Sequence, residues 1–190
     1  MASGAGDRQD ATALVSGTLP DGLRMVTLPD YRDARGHLVE LFRRSWEVAA
    51  PPVQWNCVSS PAGIMRGMHA HLGYYEYYVL LSGRTVIGYH DTRPDSPTRG
   101  AAALVDVRAA DGCAIVGPPG VAHGIYTCEP TVLLVGTSLE WSPVNELGCN
   151  WRDPKLGIHW PFADGVTSER DAALPSLREL LAKVPPRGGL

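Results

Sequence analysis

The chain has 190 residues, 44% of them apolar and 7% aromatic, with a formal net charge of −3. That length supports one buried core and leaves no room for a second domain of ordinary size. The absence of a long apolar run argues against a membrane-spanning helix, and the mildly acidic balance, with no Lys/Arg-rich block, argues against nucleic-acid binding.

In chain order, residues 1–22 are small and polar and read as a flexible arm with room for one edge strand. Met1 to Arg8 lack the charged-then-apolar layout of a signal peptide, which predicts a cytoplasmic protein. From residue 23 the chain reads as short strands bounded by Gly, Pro, Asp and Asn: Leu23 to Leu28, His37 to Phe42 and Val53 to Val58. Tyr74 to Leu81, Arg84 to Tyr89, Ala102 to Val107, Ala114 to Val116, Gly124 to Thr127 and Thr131 to Thr137 continue the series. Strands this dense predict an all-β domain over residues 23–184, an antiparallel barrel or jelly roll. Only the end is helical in pattern: Leu174, Leu177, Leu180, Leu181 and Val184 recur at three- and four-residue spacing, with Pro175 in the expected first turn. Residues 185–190 read as a tail. Cys57, Cys113, Cys128 and Cys149 form no Cys-x-x-Cys pair and are expected as free, mostly buried thiols of a reducing compartment.

Two linked patterns carry chemistry. The first runs Gly63, His69-Ala70-His71, Glu76, Gly83; the second runs Gly112, Pro118-Pro119-Gly120, His123. Residues at i and i+2 of a strand share a face, so His69 and His71 look the same way, and a turn at Leu72-Gly73 lets Glu76 rejoin them. The spacing resembles the paired motifs of the cupin superfamily and predicts one divalent metal, iron, manganese, nickel or zinc, held by His69, His71, Glu76 and His123. Because the imidazoles must be neutral to bind, affinity is expected to fall below about pH 6 to 6.5.

Other segments resemble the dTDP-4-dehydrorhamnose 3,5-epimerases, a cupin subgroup without metal. They are Asp33 to Glu40, Val53-Gln54-Trp55-Asn56, Gly63 to His69, Pro118 to Gly124, Asn150 to Pro161 and Ser168-Glu169-Arg170-Asp171. The resemblance implies an epimerase or isomerase acting on a dTDP-linked 4-keto-6-deoxy sugar through an enolate. It makes His69 the base and Asp171 its partner, and gives the diphosphate to Arg66. Gln54 and Asn56 would line the pocket, Trp141 would pack on the nucleotide, and Arg170 stands in the substrate-binding position of the family's lysine. Tyr31, Arg35 and Glu40 would reach the neighbouring subunit's nucleotide in a homodimer.

Three positions depart from the family: one is His71, where glutamine or another neutral residue is usual, and the other two are serious. The family's enolate-stabilising lysine falls on Glu76, whose charge has the wrong sign for an oxyanion, and its proton-donating tyrosine falls on Val135. A bound metal could supply the missing stabilisation, with Asp171 then orienting a metal-bound His69. For the missing acid, the candidates are Tyr126 and one member of the run Tyr74, Tyr75, Tyr77, Tyr78, the rest of which would be packing or dimer surface. A metal-dependent cupin oxidoreductase, dioxygenase-like, is the alternative function. A non-catalytic sugar-nucleotide binder fits less well, because the gain of three coordinated polar residues argues against it. His37, His90 and His159 lie outside the ligand spacing.

Overall fold

A computed structural model of the protein describes residues 13–142 and 146–186. One antiparallel sheet has six strands in the order β1 (Leu14–Gly17), β9 (Ala102–Arg108), β8 (Arg84–Asp91), β11 (Val121–Thr127), β6 (Met65–His71) and β13 (Glu146–Gly148). The other has five, in the order β2 (Arg24–Thr27), β10 (Cys113–Gly117), β7 (Glu76–Ser82), β12 (Thr131–Thr137) and β5 (Gln54–Ser60). Strands β3 (Asp30–Asp33) and β4 (Gly36–Val39) pair only with each other and are exposed along nearly their whole length. The first twelve residues of the expected arm and residues 187–190 of the tail lie outside the described residues.

The two large sheets face each other. Tyr78 and Leu80 from β7, Ile115 from β10 and Leu133 from β12 meet Ile87 and Tyr89 from β8, Val105 from β9 and Ile125 from β11 in one buried cluster. These are the alternate residues of each strand, the period that puts one face of a sheet inside. A second cluster covers the outer face of the six-stranded sheet, where Met65, Met68 and Ala70 contact Trp151, Leu156, Leu177 and Leu180. The jelly-roll architecture read from strand density is therefore present.

Helix α1 (Glu169–Ala172) has Ser168 as its N-cap, and α2 (Leu177–Leu181) has Ser176 in a capping box with Glu179. The C-terminal helix is thus present but shorter than the leucine spacing suggests, and Pro175 lies before its cap rather than in its first turn. Helix α1 has no apolar repeat to announce it, since four residues complete barely one turn. Strands β3 and β13 were likewise too short for period-two alternation to register. All four cysteines are free; Cys113 and Cys149 are buried and Cys57 is exposed.

One irregularity in β6 matters for the site. His123 pairs with His69 but Gly124 pairs with Gly67, so Met68 is an extra residue in the ladder. A bulge of this kind re-aims the side chains on either side of it. Without it, Arg66 and His69, an odd number of positions apart, would face opposite ways; with it, Arg66, His69 and His71 all line one cavity. The close approach requires glycine at position 67, where a Cβ would stand 2.6 Å from the His123 carbonyl oxygen at a φ of +111°.

Candidate active site

Between the sheets lies a cavity of about 660 Å³. The six-stranded sheet contributes Arg66, His69, His71, His123 and Glu146, and the five-stranded sheet contributes Asn56, Glu76, Tyr78, Val135 and Thr137. Trp141, Arg170 and Asp171 close the rim. Two separate polar groups occupy it.

The first group is built on His69. Its Nε2 lies 2.8 Å from Asp171 Oδ1, and Asp171 Oδ2 accepts a hydrogen bond from the Gly67 backbone N–H at 3.1 Å. Burial alone would raise the Asp171 pKa, but these hydrogen bonds bring it down to about 2. Asp171 is therefore an acceptor only, so Nε2 carries the proton and Nδ1 keeps the lone pair. Arg170, 3.2 Å from the same Nε2, cannot then donate to it. It is held instead by Glu146 at 3.0 Å and Asp171 at 3.4 Å. Glu146, which no sequence pattern singled out, also accepts from the Trp141 indole N–H at 3.1 Å and lies 3.7 Å from His69.

The second group is His71, Glu76 and His123, all buried, with ligand atoms within 4.8 Å of one another. His71 Nε2 stands 3.4 Å from Glu76 Oε1, and His123 Nδ1 stands 3.4 Å from Glu76 Oε2. Those separations are too long for normal hydrogen bonds. They match the distance between two donors that share a tetrahedral ion, about 3.4 Å for bonds of about 2.1 Å. The donor set, two imidazoles and one carboxylate, suits a borderline divalent metal. Burial lowers His71 to about 4 and His123 to about 3, and it raises Glu76.

His69, expected as a fourth ligand, is not in this group; the bond to Asp171 draws it aside, and its ring centre lies 6.4 Å from that of His71 and 6.3 Å from that of His123. Tyr126 is not in the cavity either. An odd number of positions from His123 on β11, it faces the opposite side of the sheet and stacks on Phe162 with ring centres 3.5 Å apart. That excludes it as the missing acid. Of the tyrosine run, Tyr74 and Tyr78 face the cavity, whereas Tyr77 packs on Phe42 and Trp55 and donates to the Ala50 carbonyl.

Arg66 contacts Ser60 Oγ at 3.0 Å and leaves its guanidinium exposed at the cavity mouth. Gln54 accepts from the Trp141 backbone N–H at 2.9 Å and donates to Asn56 at 3.1 Å, linking the expected nucleotide-side residues. Tyr31, Arg35 and Glu40 do not line this chain's cavity. Arg35 is paired with Asp33 and Glu40 with Arg43, and Tyr31 is exposed on the β3–β4 hairpin. His90 bonds to the Leu156 carbonyl in a structural role.

A His–Asp dyad and an exposed arginine sharing one cavity between the sheets of a jelly roll are the makings of an acid–base site for an anionic substrate, the class to which sugar-nucleotide epimerases belong. The family model for dTDP-4-dehydrorhamnose 3,5-epimerase matches residues 18–179. A dTDP-4-dehydrorhamnose 3,5-epimerase of Sinorhizobium fredii is 32% identical over 168 residues, covering 83% of this chain and 86% of its own. A solved structure of a 3'-monoepimerase from Streptomyces bikiniensis in complex with dTDP-quinovose superposes with a TM-score of 0.80 at 28% identity, covering 88% of this chain and 90% of that one. The Legionella pneumophila dTDP-6-deoxy-D-glucose-3,5-epimerase with dTDP-4-keto-L-rhamnose gives 0.82 at 26%, covering 92% and 98%. The chain belongs to the dTDP-4-dehydrorhamnose 3,5-epimerase family and is an epimerase.

Proposed function

We propose that this protein epimerises a dTDP-linked 4-keto-6-deoxy sugar at C3, with inversion at C5 weak or absent. The observation that supports the reading is the His69–Asp171 dyad in a cavity whose far wall carries Val135 where the family's tyrosine falls. His69 Nδ1 takes the proton beside the ketone, and Asp171 holds the ring and stabilises the resulting imidazolium. Arg66 holds the diphosphate, Asn56 lines the sugar pocket, and Gln54 and Trp141 receive the nucleotide. An aliphatic side chain at 135 has no proton to return to C5.

His71, Glu76 and His123 hold a divalent cation in this reading. When bound, such an ion supplies Lewis-acid stabilisation for charge on the C4 oxygen. This separates roles that the sequence had placed on one histidine, since His69 stays free to act as a base. The relatives named above are epimerases, and they lend the oxidoreductase alternative no support. The exposed β3–β4 hairpin, with Tyr31 and Arg35, supports a homodimer in which these residues and Glu40 reach the partner's nucleotide. The four free thiols support a cytoplasmic setting, and no helix among the described residues is long and apolar enough to cross a membrane.

Proton NMR of dTDP-4-keto-6-deoxyglucose in deuterated water tests the reaction: deuterium enters at C3 with inversion and scarcely at C5. Absence of exchange at both carbons, with substrate-dependent oxygen uptake, would reverse the assignment. Elemental analysis of protein purified without chelator tests the metal. Under a tenth of an equivalent, before and after incubation with iron(II), manganese, nickel or zinc, would leave the triad a polar pocket.

A further inference from the structure

The tyrosine run around Glu76 is not absorbed by the epimerase chemistry. Tyr74, Glu76 and Tyr78 are alternate residues, and all three line the same cavity. Tyr74 lies nearly parallel to the His71 ring, with centres 4.8 Å apart and planes at 21°, and its hydroxyl is 2.8 Å from His71 Nδ1. That contact engages one nitrogen of His71 and leaves Nε2 to face Glu76. Tyr78 has its ring centre 5.5 Å from that of His123. Its hydroxyl is fully buried and has no hydrogen-bond partner of ordinary geometry, although it lies beside the Glu76 carboxylate. A buried hydroxyl without a partner is costly and calls for an explanation.

We propose that Tyr74 and Tyr78 are positioning residues for a divalent cation at His71, Glu76 and His123, Tyr74 acting through His71 and Tyr78 through the Glu76 carboxylate. The inference rests on the metal reading above. Groups that hold a ligand's remaining nitrogen or oxygen fix its orientation and tautomer, and losing one typically weakens metal binding about 10–100-fold. The Glu76 carboxylate is the acceptor beside the Tyr78 O–H, and a small rotation of it brings that contact to ordinary hydrogen-bond geometry. Tyr74 fixes which nitrogen of His71 points inward. The outward-facing Tyr75 and Tyr77 have no such contact with the triad, so the run divides by strand parity into two functions.

The test is titration of chelator-stripped protein with cobalt(II), followed by its visible absorption, and then with zinc(II) in competition. Wild-type protein and Tyr75→Phe are expected to take up one equivalent with affinities within about twofold of each other. Tyr74→Phe should bind about 10–100-fold more weakly, with a shifted cobalt absorption from the loosened His71, and Tyr78→Phe about 10-fold more weakly. Melting of the metal-free forms shows whether each variant folds, and each tyrosine is tested separately so that loss of one variant leaves the other informative. If the wild type binds one equivalent and both phenylalanine variants bind as tightly, the tyrosine assignment is overturned while the metal reading stands. If the wild type binds none, both fall together.

Discussion

The two histidines of His69-Ala70-His71 share a strand and a face, yet they belong to different machines. His69 looks toward the chain's C-terminal segment, where Asp171 and Arg170 engage it. His71 looks across the gap between the sheets, toward Glu76 on β7 and beside His123 on β11. The dyad pairs a half-buried imidazole with a buried carboxylate; the triad is buried and built from groups whose charged forms burial disfavours. A His-x-His pair therefore need not be a pair of ligands: the partner that each ring finds decides its chemistry.

The most damaging way to break this division is His69→Gln. It should abolish deuterium entry at C3, a loss of at least about 10²–10⁴-fold for a general base, while bound metal stays at one equivalent. Loss of both together would put His69 back among the ligands. Conversely, His123→Ala or Glu76→Gln should empty the metal site, read by elemental analysis, and leave dTDP affinity as it was.

Arg66→Ala sits at the mouth, outside both groups. It should weaken dTDP binding by about 2 kcal/mol, roughly 30-fold, through loss of a charge-assisted fork to phosphate, measurable by calorimetry. An unchanged affinity would move the diphosphate elsewhere in the cavity.

The smallest effect is one of pH on the metal-free fold. His71 and His123 have folded values of about 4 and 3, below the ordinary 6.5. The unfolded chain therefore takes up protons first, and the stability these residues contribute is present above about pH 6.5 and is lost as pH falls toward 4 and then 3. Asp171, at about 2, adds a further loss below the ordinary carboxylate range. Glu76, raised by burial, acts in the opposite sense. Melting temperature in chelator should fall across this window for the wild type and fall less for His71→Gln; equal slopes would show that burial does not perturb His71. Lowered His71 and His123 values would move the expected fall in metal affinity to below the pH of about 6 to 6.5 that ordinary histidines imply.

Much of this was legible in the sequence. The strand-turn spacing gave the jelly roll, and His71, Glu76 and His123 converge as their spacing implies. The misplacement of His69 as a ligand has a local cause. Spacing specifies which face a side chain takes, whereas the bond from Asp171, more than one hundred positions away, decides where the ring turns. The bulge at Met68 was hidden for a similar reason, since it exists only against β11. Tyr126 is different. Its odd separation from His123 already placed it on the outer face by strand parity, and that signal outranked its nearness in sequence. Glu146 lay on a strand of three residues, too short to show any pattern.

The joint between the C-terminal segment and β6 has a consequence for how the site matures. Val166 is bridged to the chain on either side of Ile64, donating to the Gly63 carbonyl and accepting from the Met65 N–H, and this fastening brings Asp171 to His69. As a ribosome lengthens the chain, every member of the triad is present once His123 has been added. The dyad must wait until Asp171 follows and its segment docks. Of the two groups, the dyad is therefore the one whose residues synthesis completes last.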